Sequence, residues 1–405
     1  MILEYDKPLK SIIFFVLLPP IFTGFFPGKI TVISALCYYI VAYGLFKYRQ
    51  YITFDNIEGV SAIKLFLFFE IITYIRGFTN IDTNADIYAL ASSLLFTNFL
   101  FPILLLISTP HNVAIIWKSF ITIGIPLCII CYFYPPTDAM MSFQHNMIFI
   151  SAFTLCSSYL KKKYFLFFFL ISLFVILIDL NRRSIFLSFS VPFLILLFKR
   201  FYSYAFVKRS IFCVTFIFPM ILLILGLSGK FNVFEYMDER DELIVSEDVR
   251  AFNTDSRTSI YLDVFGELDR QEAYLFGLGG NGKTATSLAD TDLNAHGDAL
   301  YKIGRVGSES GMLNFIQFGG FFGWLCYTIL FIAIIYNGLF KSKNQFVVLL
   351  SVWTCFHYVY SYIEDKYAVN PHMFYFMIMY GICLNKEFLN MKDEDMKCYL
   401  QSIFH

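Results

Sequence analysis

His296 and Glu309 have the residue types and the spacing of a candidate acid–base pair. His296 stands in the polar segment 292–298 and is followed by Arg305 and Glu309, shortly before an apolar segment. A neutral imidazole accepts a proton near pH 7, and a suitably placed carboxylate can act as a base in the same way. The alternative for His296 is a solvated loop histidine. We predict His296 and Glu309 as catalytic residues and Arg305 as a binding residue.

Arg182 and Arg183 form an adjacent pair in a very short turn between two apolar segments. An arginine drawn into hydrocarbon costs about 2.5 to 3.5 kcal/mol on insertion scales, so a compensating interaction is required. One alternative is an ion pair with Asp179 on the same helix face. The other is a phosphate group, because a guanidinium fork matches phosphate oxygens bidentately. We predict that the pair binds phosphate.

Two further arginines are candidates for binding an anion. No acidic residue lies three or four positions from Arg257, so a helical ion pair is excluded there and only Asp255 or a distant carboxylate remains as a partner. Structural and functional roles stay open for Arg257. Arg76 lies near the end of the third apolar segment and is the second candidate.

Residues 277–284 satisfy the phosphate-loop pattern G-x-x-x-x-G-K-[ST], and the first six also satisfy G-x-G-x-x-G. Both motifs work only where a buried strand enters the glycine turn and a helix follows it. The surrounding sequence has no alternation of strands and helices, so we predict a flexible turn after a helix, with Gly277 as the helix stop. A nest of backbone N–H groups that holds a phosphate remains an alternative.

The elements that must position these residues are mostly apolar. Hydrophobic residues make up 58 % of the chain and charged residues 15 %, which predicts an all-α polytopic membrane protein. A membrane helix needs about 20 apolar residues. We predict about twelve spans: 11–26, 30–46, 60–78, 88–108, 113–134, 143–160, 164–180, 184–198, 210–228, 312–336, 346–363 and 370–386.

The distribution of charged residues divides the chain into three parts and predicts its orientation in the membrane. Alternate loops carry most of the Lys and Arg outside residues 230–311, which predicts that these loops and both termini are cytoplasmic. The three parts are about nine N-terminal spans (1–229), one large extracytoplasmic loop (230–311), and about three C-terminal spans with a tail (312–405). The loop has 8 Lys and Arg against 16 Asp and Glu.

One helix is predicted inside the large loop. Asp255 or Ser256 can cap it, and apolar residues then recur at helical spacing. These residues are Ile260, Val264, Phe265 and Leu268. We expect this helix to pack on the outer mouth of the bundle.

In its layout the chain resembles the O-antigen or oligosaccharide repeat-unit polymerases (Wzy-like), relatives of the O-antigen ligases among glycosyltransferases of the C type. The resemblance rests on the many spans, one late extracytoplasmic loop, Arg257 early in the loop helix, and the Gly277-Leu-Gly279 turn. His296 and the glycine-rich segment 318–323 complete the pattern. In ligase-like sequences the histidine is often followed by Asn, whereas Gly297 follows His296 here.

The resemblance implies a polymerase in the bacterial inner membrane, with a periplasmic loop. It would join repeat units carried on undecaprenyl pyrophosphate, without a metal or another cofactor. Arg257 would stabilise the leaving pyrophosphate, while Tyr261 and the other arginines would bind substrate. Partners are the lipid-linked oligosaccharide and membrane lipid, with a chain-length regulator left open and no nucleic acid. The alternatives are an O-antigen ligase and a lipid-linked oligosaccharide flippase.

Overall fold

The fold is that of a computed structural model, which describes most of the chain outside the large loop and two parts of that loop. The described residues are 6–17, 30–47, 49, 52, 54–93, 101–126, 129, 147–178, 183–227, 256–284, 305–308, 310–364 and 371–404.

The described part of the chain is almost entirely helical, which confirms the predicted all-α class. Each predicted apolar segment overlaps at least one helix, and two short strands, Lys283–Thr284 and Arg305–Val306, pair antiparallel. The α-helices are Asp6–Leu17, Ile30–Lys47, Val60–Gly77, Asn84–Ser93, Phe101–Leu106, Pro110–Ser119, Phe149–Cys156, Lys162–Ile178, Arg183–Leu197, Ala205–Leu227, Ser256–Arg270, Gly311–Tyr336, Gln345–Tyr360, Pro371–Ile382, Lys386–Asn390 and Asp393–Phe404. Short 3₁₀ and π segments are Phe78–Asn80, Phe120–Gly124, Ser157–Tyr159, Phe201–Ser203 and Asn337–Lys341.

Among the described residues, one helix is long and apolar enough to cross a bilayer by length and composition, Gly311–Lys341. Its 31 residues would extend about 46 Å at 1.5 Å per residue, which exceeds a hydrocarbon core. Four shorter apolar helices accompany it: Phe149–Tyr159, Ile185–Leu197, Gln345–Tyr360 and Met373–Ile382. The count of twelve spans stays a prediction.

Hydrogen bonds between distant turns show that the bundle has two distinct ends. At one end, the Gln345 side chain donates to the Lys199 carbonyl at 2.9 Å, and Tyr399 donates to the Pro110 carbonyl at 2.7 Å. We call this the basic end, because it also holds the predicted basic loops around Lys161, Arg200 and Lys343. The described turn residues of the basic end are 49, 52, 54–59, 107–109, 157–161, 198–204, 342–344 and 383–392.

The opposite end joins residues 78–83, 271–284, 305–308, 310 and 361–364, and we call it the glycine end. There the Gly280 amide donates to the Thr73 carbonyl at 2.8 Å, and the Met312 amide donates to the Ser361 carbonyl at 2.9 Å. Helices Val60–Gly77 and Gln345–Tyr360 run from the basic end to the glycine end, and helix Asp393–Phe404 stays at the basic end.

Side chains close the basic end. The first three amides of helix Gln345–Tyr360 are bound by Asp393 at 2.8 Å, by the Tyr159 hydroxyl at 2.9 Å and by Asn344 at 2.9 Å. A helix N-terminus leaves such amides without partners inside the helix, so side-chain acceptors stabilise it. The first three amides of this helix are therefore already bound by side chains of the protein.

Candidate functional site

The glycine end is built around a break in helix Gly311–Tyr336, which we call the broken helix. Gly320 has φ 63° and ψ −160° in the middle of this helix. That backbone region is essentially restricted to glycine, because a Cβ would collide there with the backbone. The break interrupts the helical hydrogen bonds and leaves backbone groups that need other partners.

A segment of the large loop supplies those partners. We call residues 276–284 the glycine turn; with the residues just before it, the turn lies along the break and exchanges four backbone hydrogen bonds with it. The amide–carbonyl pairs are Leu278 with Gln317 (2.8 Å), Gly279 with Phe318 (2.9 Å), Phe321 with Tyr274 (2.9 Å) and Phe322 with Leu275 (3.1 Å). The glycine turn is therefore an integral part of the helix packing.

Glycine is required on both sides of this contact because the two backbones touch. A Cβ on Gly320 would lie 2.5 Å from the Gly277 nitrogen, and a Cβ on Gly77 would lie 2.5 Å from the Gly280 carbonyl oxygen. Gly277 itself has φ 67°. The turn is thus wedged between the broken helix and the end of helix Val60–Gly77.

Five amides of the glycine turn, those of Gly277 to Gly280 and of Gly282, are already bonded, which argues against the alternative of a phosphate nest. Besides the pairs above, the Gly277 amide donates to Ala273 at 2.7 Å and the Gly282 amide to Gly279 at 3.0 Å. A nest needs several free amides that point to one place. The nucleotide motif is contradicted as well, because in the described residues turns precede the glycines and Lys283–Thr284 form a strand where the motif requires the start of a helix.

Lys283, the lysine of that motif, is bound by two carboxylates. Its Nζ lies 3.1 Å from Asp86 and 3.4 Å from Asp82. Burial of Asp86 raises the pKa of its carboxyl, but hydrogen bonds from Lys283, Thr83 and the Asp82 and Thr83 amides outweigh burial and lower the pKa to about 2. The carboxylate therefore stays charged and fastens the glycine turn to helix Asn84–Ser93.

The loop helix, Ser256–Arg270, is confirmed where the sequence predicts it. All four residues of its predicted apolar face are buried: Ile260, Val264, Phe265 and Leu268. It packs on the broken helix and on helix Ala205–Leu227.

The predicted stop of the loop helix at Gly277 is wrong. The helix ends at Arg270, and Glu272 follows with φ 51°. The Ala273 amide reaches back to the Leu268 carbonyl at 2.8 Å, and the Glu272 amide reaches the Asp269 carbonyl at 3.1 Å. These two bonds are a Schellman ending, formed here around a residue other than glycine.

Arg76 is the predicted binding arginine whose side chain is described. It lies in the last turn of helix Val60–Gly77, which confirms its position near a helix end. Its NH1 donates to the Phe276 carbonyl and its NH2 donates to the Gly277 carbonyl at 2.9 Å. Among the described residues these two carbonyls are its partners, so three of the five N–H donors of the guanidinium remain for a ligand.

Tyr261, predicted to bind substrate, uses its hydroxyl inside the protein. The hydroxyl donates to the Tyr362 carbonyl at 2.7 Å and lies 3.4 Å from the Ser310 hydroxyl. Ser310 in turn caps the broken helix at the Leu313 amide. Tyr261 therefore ties the loop helix to the start of the broken helix and to the turn 361–364.

The backbone places three more predicted residues at the glycine end. Arg257 is the second residue of the loop helix, and Arg305 begins the strand that pairs with Thr284. Arg183 begins helix Arg183–Leu197, whose other end reaches the basic end near Lys199. The side chains of these three arginines lie outside the described residues, as do His296, Glu309 and Arg182.

Sequence reasoning missed Asp86 and Gln317. Asp86 had a readable signal, because Thr83-x-x-Asp86 is a capping box: the Thr83 amide donates to Asp86 at 2.8 Å, and the Asp86 amide faces the Thr83 hydroxyl at 3.4 Å. Gln317 had none, because it is a single polar residue in an apolar run. Its amide nitrogen donates to the Gly282 carbonyl at 2.8 Å.

Comparisons of the chain with protein-family models, with curated proteins and with solved structures find no match. The function must therefore be argued from the residues and the geometry of this chain.

Proposed function

We propose that the chain is a glycosyltransferase that joins oligosaccharide repeat units carried on undecaprenyl pyrophosphate into a surface polysaccharide such as O-antigen. The glycine end would face the periplasm and the basic end the cytoplasm of a bacterial inner membrane. The collection of basic loops at one end of the bundle supports this orientation, because such loops are retained on the cytoplasmic side.

Arg76 carries the proposal. Its guanidinium is oriented by two carbonyls and retains three N–H donors, so it can hold an anion without first being ordered. Exposed apolar side chains lie beside it: Ile75 is 59 % exposed, Phe276 50 % and Phe322 43 %. The Phe276 and Phe322 rings stack with centroids 5.1 Å apart. A cation within an exposed apolar surface suits a phosphate attached to a lipid tail.

The backbones of three other arginines lie at the glycine end. The loop helix and the short strand bring the backbones of Arg257 and Arg305 to the glycine end, and helix Arg183–Leu197 begins there as well. Several arginines around one leaving group stabilise the negative charge that develops as it departs. This arrangement fits pyrophosphate better than a single phosphate.

The proposed reaction is a displacement at the anomeric carbon. A hydroxyl oxygen of the acceptor repeat unit attacks this carbon, and its bond to the pyrophosphate oxygen breaks. The hydroxyl proton passes to a base, for which His296 and Glu309 are the candidates. The electron pair leaves with undecaprenyl pyrophosphate, and the arginines stabilise its charge.

The experiment is complementation of a deletion strain, with analysis of the surface glycan. Loss of a polymerase leaves single repeat units on the acceptor, loss of a ligase leaves long chains on the lipid carrier, and loss of a flippase leaves neither. We expect single repeat units. Long chains on the carrier would instead assign the ligase reaction to this site.

Arg76→Ala tests the carrying residue in the same strain. If the contact acts mainly in the transition state, its loss slows polymerisation about a hundredfold to a thousandfold. Arg76→Lys recovers part of the rate, because an ammonium lacks the bidentate fork. The control is Arg209→Ala, an exposed arginine of the helix that starts at the basic end. Normal polymer from Arg76→Ala at matched protein level would remove Arg76 from the site.

A further inference from the structure

Three buried oxygen atoms at the contact between the glycine turn and the helices have no hydrogen-bond partner in the described structure. They are Thr73 Oγ1, Asn281 Oδ1 and Gln317 Oε1. The exposed fractions of these residues are 5 %, 2 % and 0 %. An unsatisfied buried polar group costs about 1 to 3 kcal/mol, so three of them in one contact require an explanation.

Thr73 and Gln317 contact the tripeptide Gly280-Asn281-Gly282, which contains the third residue, Asn281. The Gly280 amide is bound by the Thr73 carbonyl at 2.8 Å, and the Gly282 carbonyl is bound by the Gln317 side chain at 2.8 Å. Asn281 lies between these two contacts. The three residues therefore meet in one region, where helix Val60–Gly77, the glycine turn and the broken helix come together.

Hydrogen bonds determine which atom of each side-chain amide already has a partner. The Gln317 nitrogen is held by Gly282, and the Asn281 nitrogen donates to the Asp86 carbonyl at 3.1 Å. The atoms left without a partner are thus the carbonyl oxygens, together with one hydroxyl. Such a set needs a ligand that is a cation or a hydrogen-bond donor.

The donor set is composed of neutral oxygens, which favours a hard cation of low charge over a transition metal. Asp86 lies beside the region, because its backbone carbonyl accepts from Asn281, and Lys283 pairs with the carboxylates of Asp82 and Asp86. This cluster carries one net negative charge, which a single positive charge neutralises more closely than a double one.

We propose that the glycine end binds one monovalent cation, represented by Na⁺, through the oxygens of Thr73, Asn281 and Gln317. The cation would satisfy the three oxygens and hold the glycine turn against both helices. This proposal stands independently of the glycosyltransferase proposal, since it concerns the packing of the turn.

The test is thermal unfolding of the purified full chain in detergent, in NaCl, KCl or choline chloride at equal ionic strength. A bound cation stabilises the folded state in proportion to the logarithm of its concentration above the dissociation constant. We expect Na⁺ to raise the unfolding temperature in proportion to the logarithm of its concentration, and choline, which is too large for the region, to leave it unchanged. An unfolding temperature that is the same in all three salts overturns the proposal.

Thr73→Val separates a cation from bound water. Valine has the shape of threonine, and the Thr73 hydroxyl has no partner to lose, so this variant removes only the proposed ligand. We expect it to weaken the apparent Na⁺ affinity on the order of tenfold or more. The control is Ser151→Ala, which removes a buried unpartnered hydroxyl elsewhere in the bundle and should keep the Na⁺ response.

Thr73→Val also has an expected result if no cation is bound. If the hydroxyl holds no cation, Thr73→Val removes an unsatisfied polar atom and raises the unfolding temperature by the same amount in every salt. That outcome also overturns the proposal. Gln317→Met is the second variant, and it should lose the selective response to Na⁺ for the same reason as Thr73→Val.

Discussion

The two ends of the bundle close their exposed backbone in different ways. At the basic end, Tyr159, Asn344 and Asp393 bind the first amides of helix Gln345–Tyr360. At the glycine end, the backbone around Gly320 is bonded by the backbone of the glycine turn. Side chains can be exchanged one at a time, whereas a backbone contact requires that both chains approach closely and therefore requires glycine.

This difference indicates where function lies. The basic end binds the first amides of helix Gln345–Tyr360 with its own side chains, and two buried atoms there, Ser157 Oγ and Asn385 Nδ2, have no partner in the described structure. The glycine end retains Arg76 donors, three unsatisfied oxygens and exposed aromatic rings after its packing is complete. Groups that a protein leaves unused after folding are the ones available to a ligand.

The largest expected effect is at Gly320. A non-glycine residue in this backbone region costs about 1 to 3 kcal/mol, and overlap with the Gly277 backbone adds about 1 to 3 kcal/mol. Gly320→Ala should lower the free energy of unfolding by about 2 to 6 kcal/mol and make the glycine turn accessible to protease.

Gly266→Ala is the matched control for that variant. Nothing lies within 4 Å of a Cβ at Gly266, which sits inside the loop helix. Alanine there should stabilise the helix by about 0.5 to 1 kcal/mol. Equal stabilities of the two variants in denaturant unfolding would mean that the turn is not wedged against the break.

The second effect concerns Asp86 and pH. The folded pKa of about 2 lies below the ordinary value of 3.8, so the contribution of Asp86 to stability is fully present above about pH 4 and is lost as the pH falls toward 2. Asp86→Asn should lower stability at neutral pH by about 1 to 3 kcal/mol and remove this part of the acid dependence. Unfolding temperatures between pH 2 and pH 6 measure it; parallel curves for parent and variant would contradict the ion pair.

A smaller effect is expected at the basic end. Tyr159→Phe loses the hydrogen bond to Asp393 and leaves the Phe346 amide without its acceptor. Stability should fall by about 1 to 2 kcal/mol, with polymer formation unchanged at matched protein level. A loss of polymer in this variant would show that the two ends do not divide structure from function.

The smallest change in stability is expected for Tyr261→Phe, about 0.5 to 1.5 kcal/mol for one hydrogen bond. The rate of polymer formation should fall by more than this loss of stability alone explains, because Tyr261 positions the helix that carries Arg257. Tyr274→Phe is the control, since its hydroxyl bonds only to nearby Asp269. Similar polymer from both variants would leave Tyr261 without a positioning role.

Local patterns in the sequence predicted local structure well. Ile260, Val264 and Leu268 predicted the loop helix, because their spacing reflects contacts within a few turns. The end of that helix was predicted wrongly, because Glu272 adopts a positive φ, a backbone conformation that is expected mainly at glycine or asparagine.

Contacts between distant segments could not be predicted. Arg76 and Gly277 are 201 positions apart, and no single-sequence pattern links them. The break at Gly320 was equally hidden, because Gly319 and Gly320 lie in an apolar run that continues as helix on both sides. His296 and Glu309 lie outside the described residues, so their catalytic roles stay predictions.

The pairing of Thr73 and Arg76 with residues 276–280 has a consequence for biosynthesis. Helix Val60–Gly77 leaves the ribosome some 240 residues before Gly320, which at about 5 to 20 residues per second is roughly 12 to 50 seconds earlier. For about the first 200 residues of that interval, Thr73, Arg76 and Gly77 have none of their final neighbours from the glycine turn. The glycine end is therefore assembled late. A chain that ends before residue 320 has an incompletely packed glycine end, which cellular quality control can recognise.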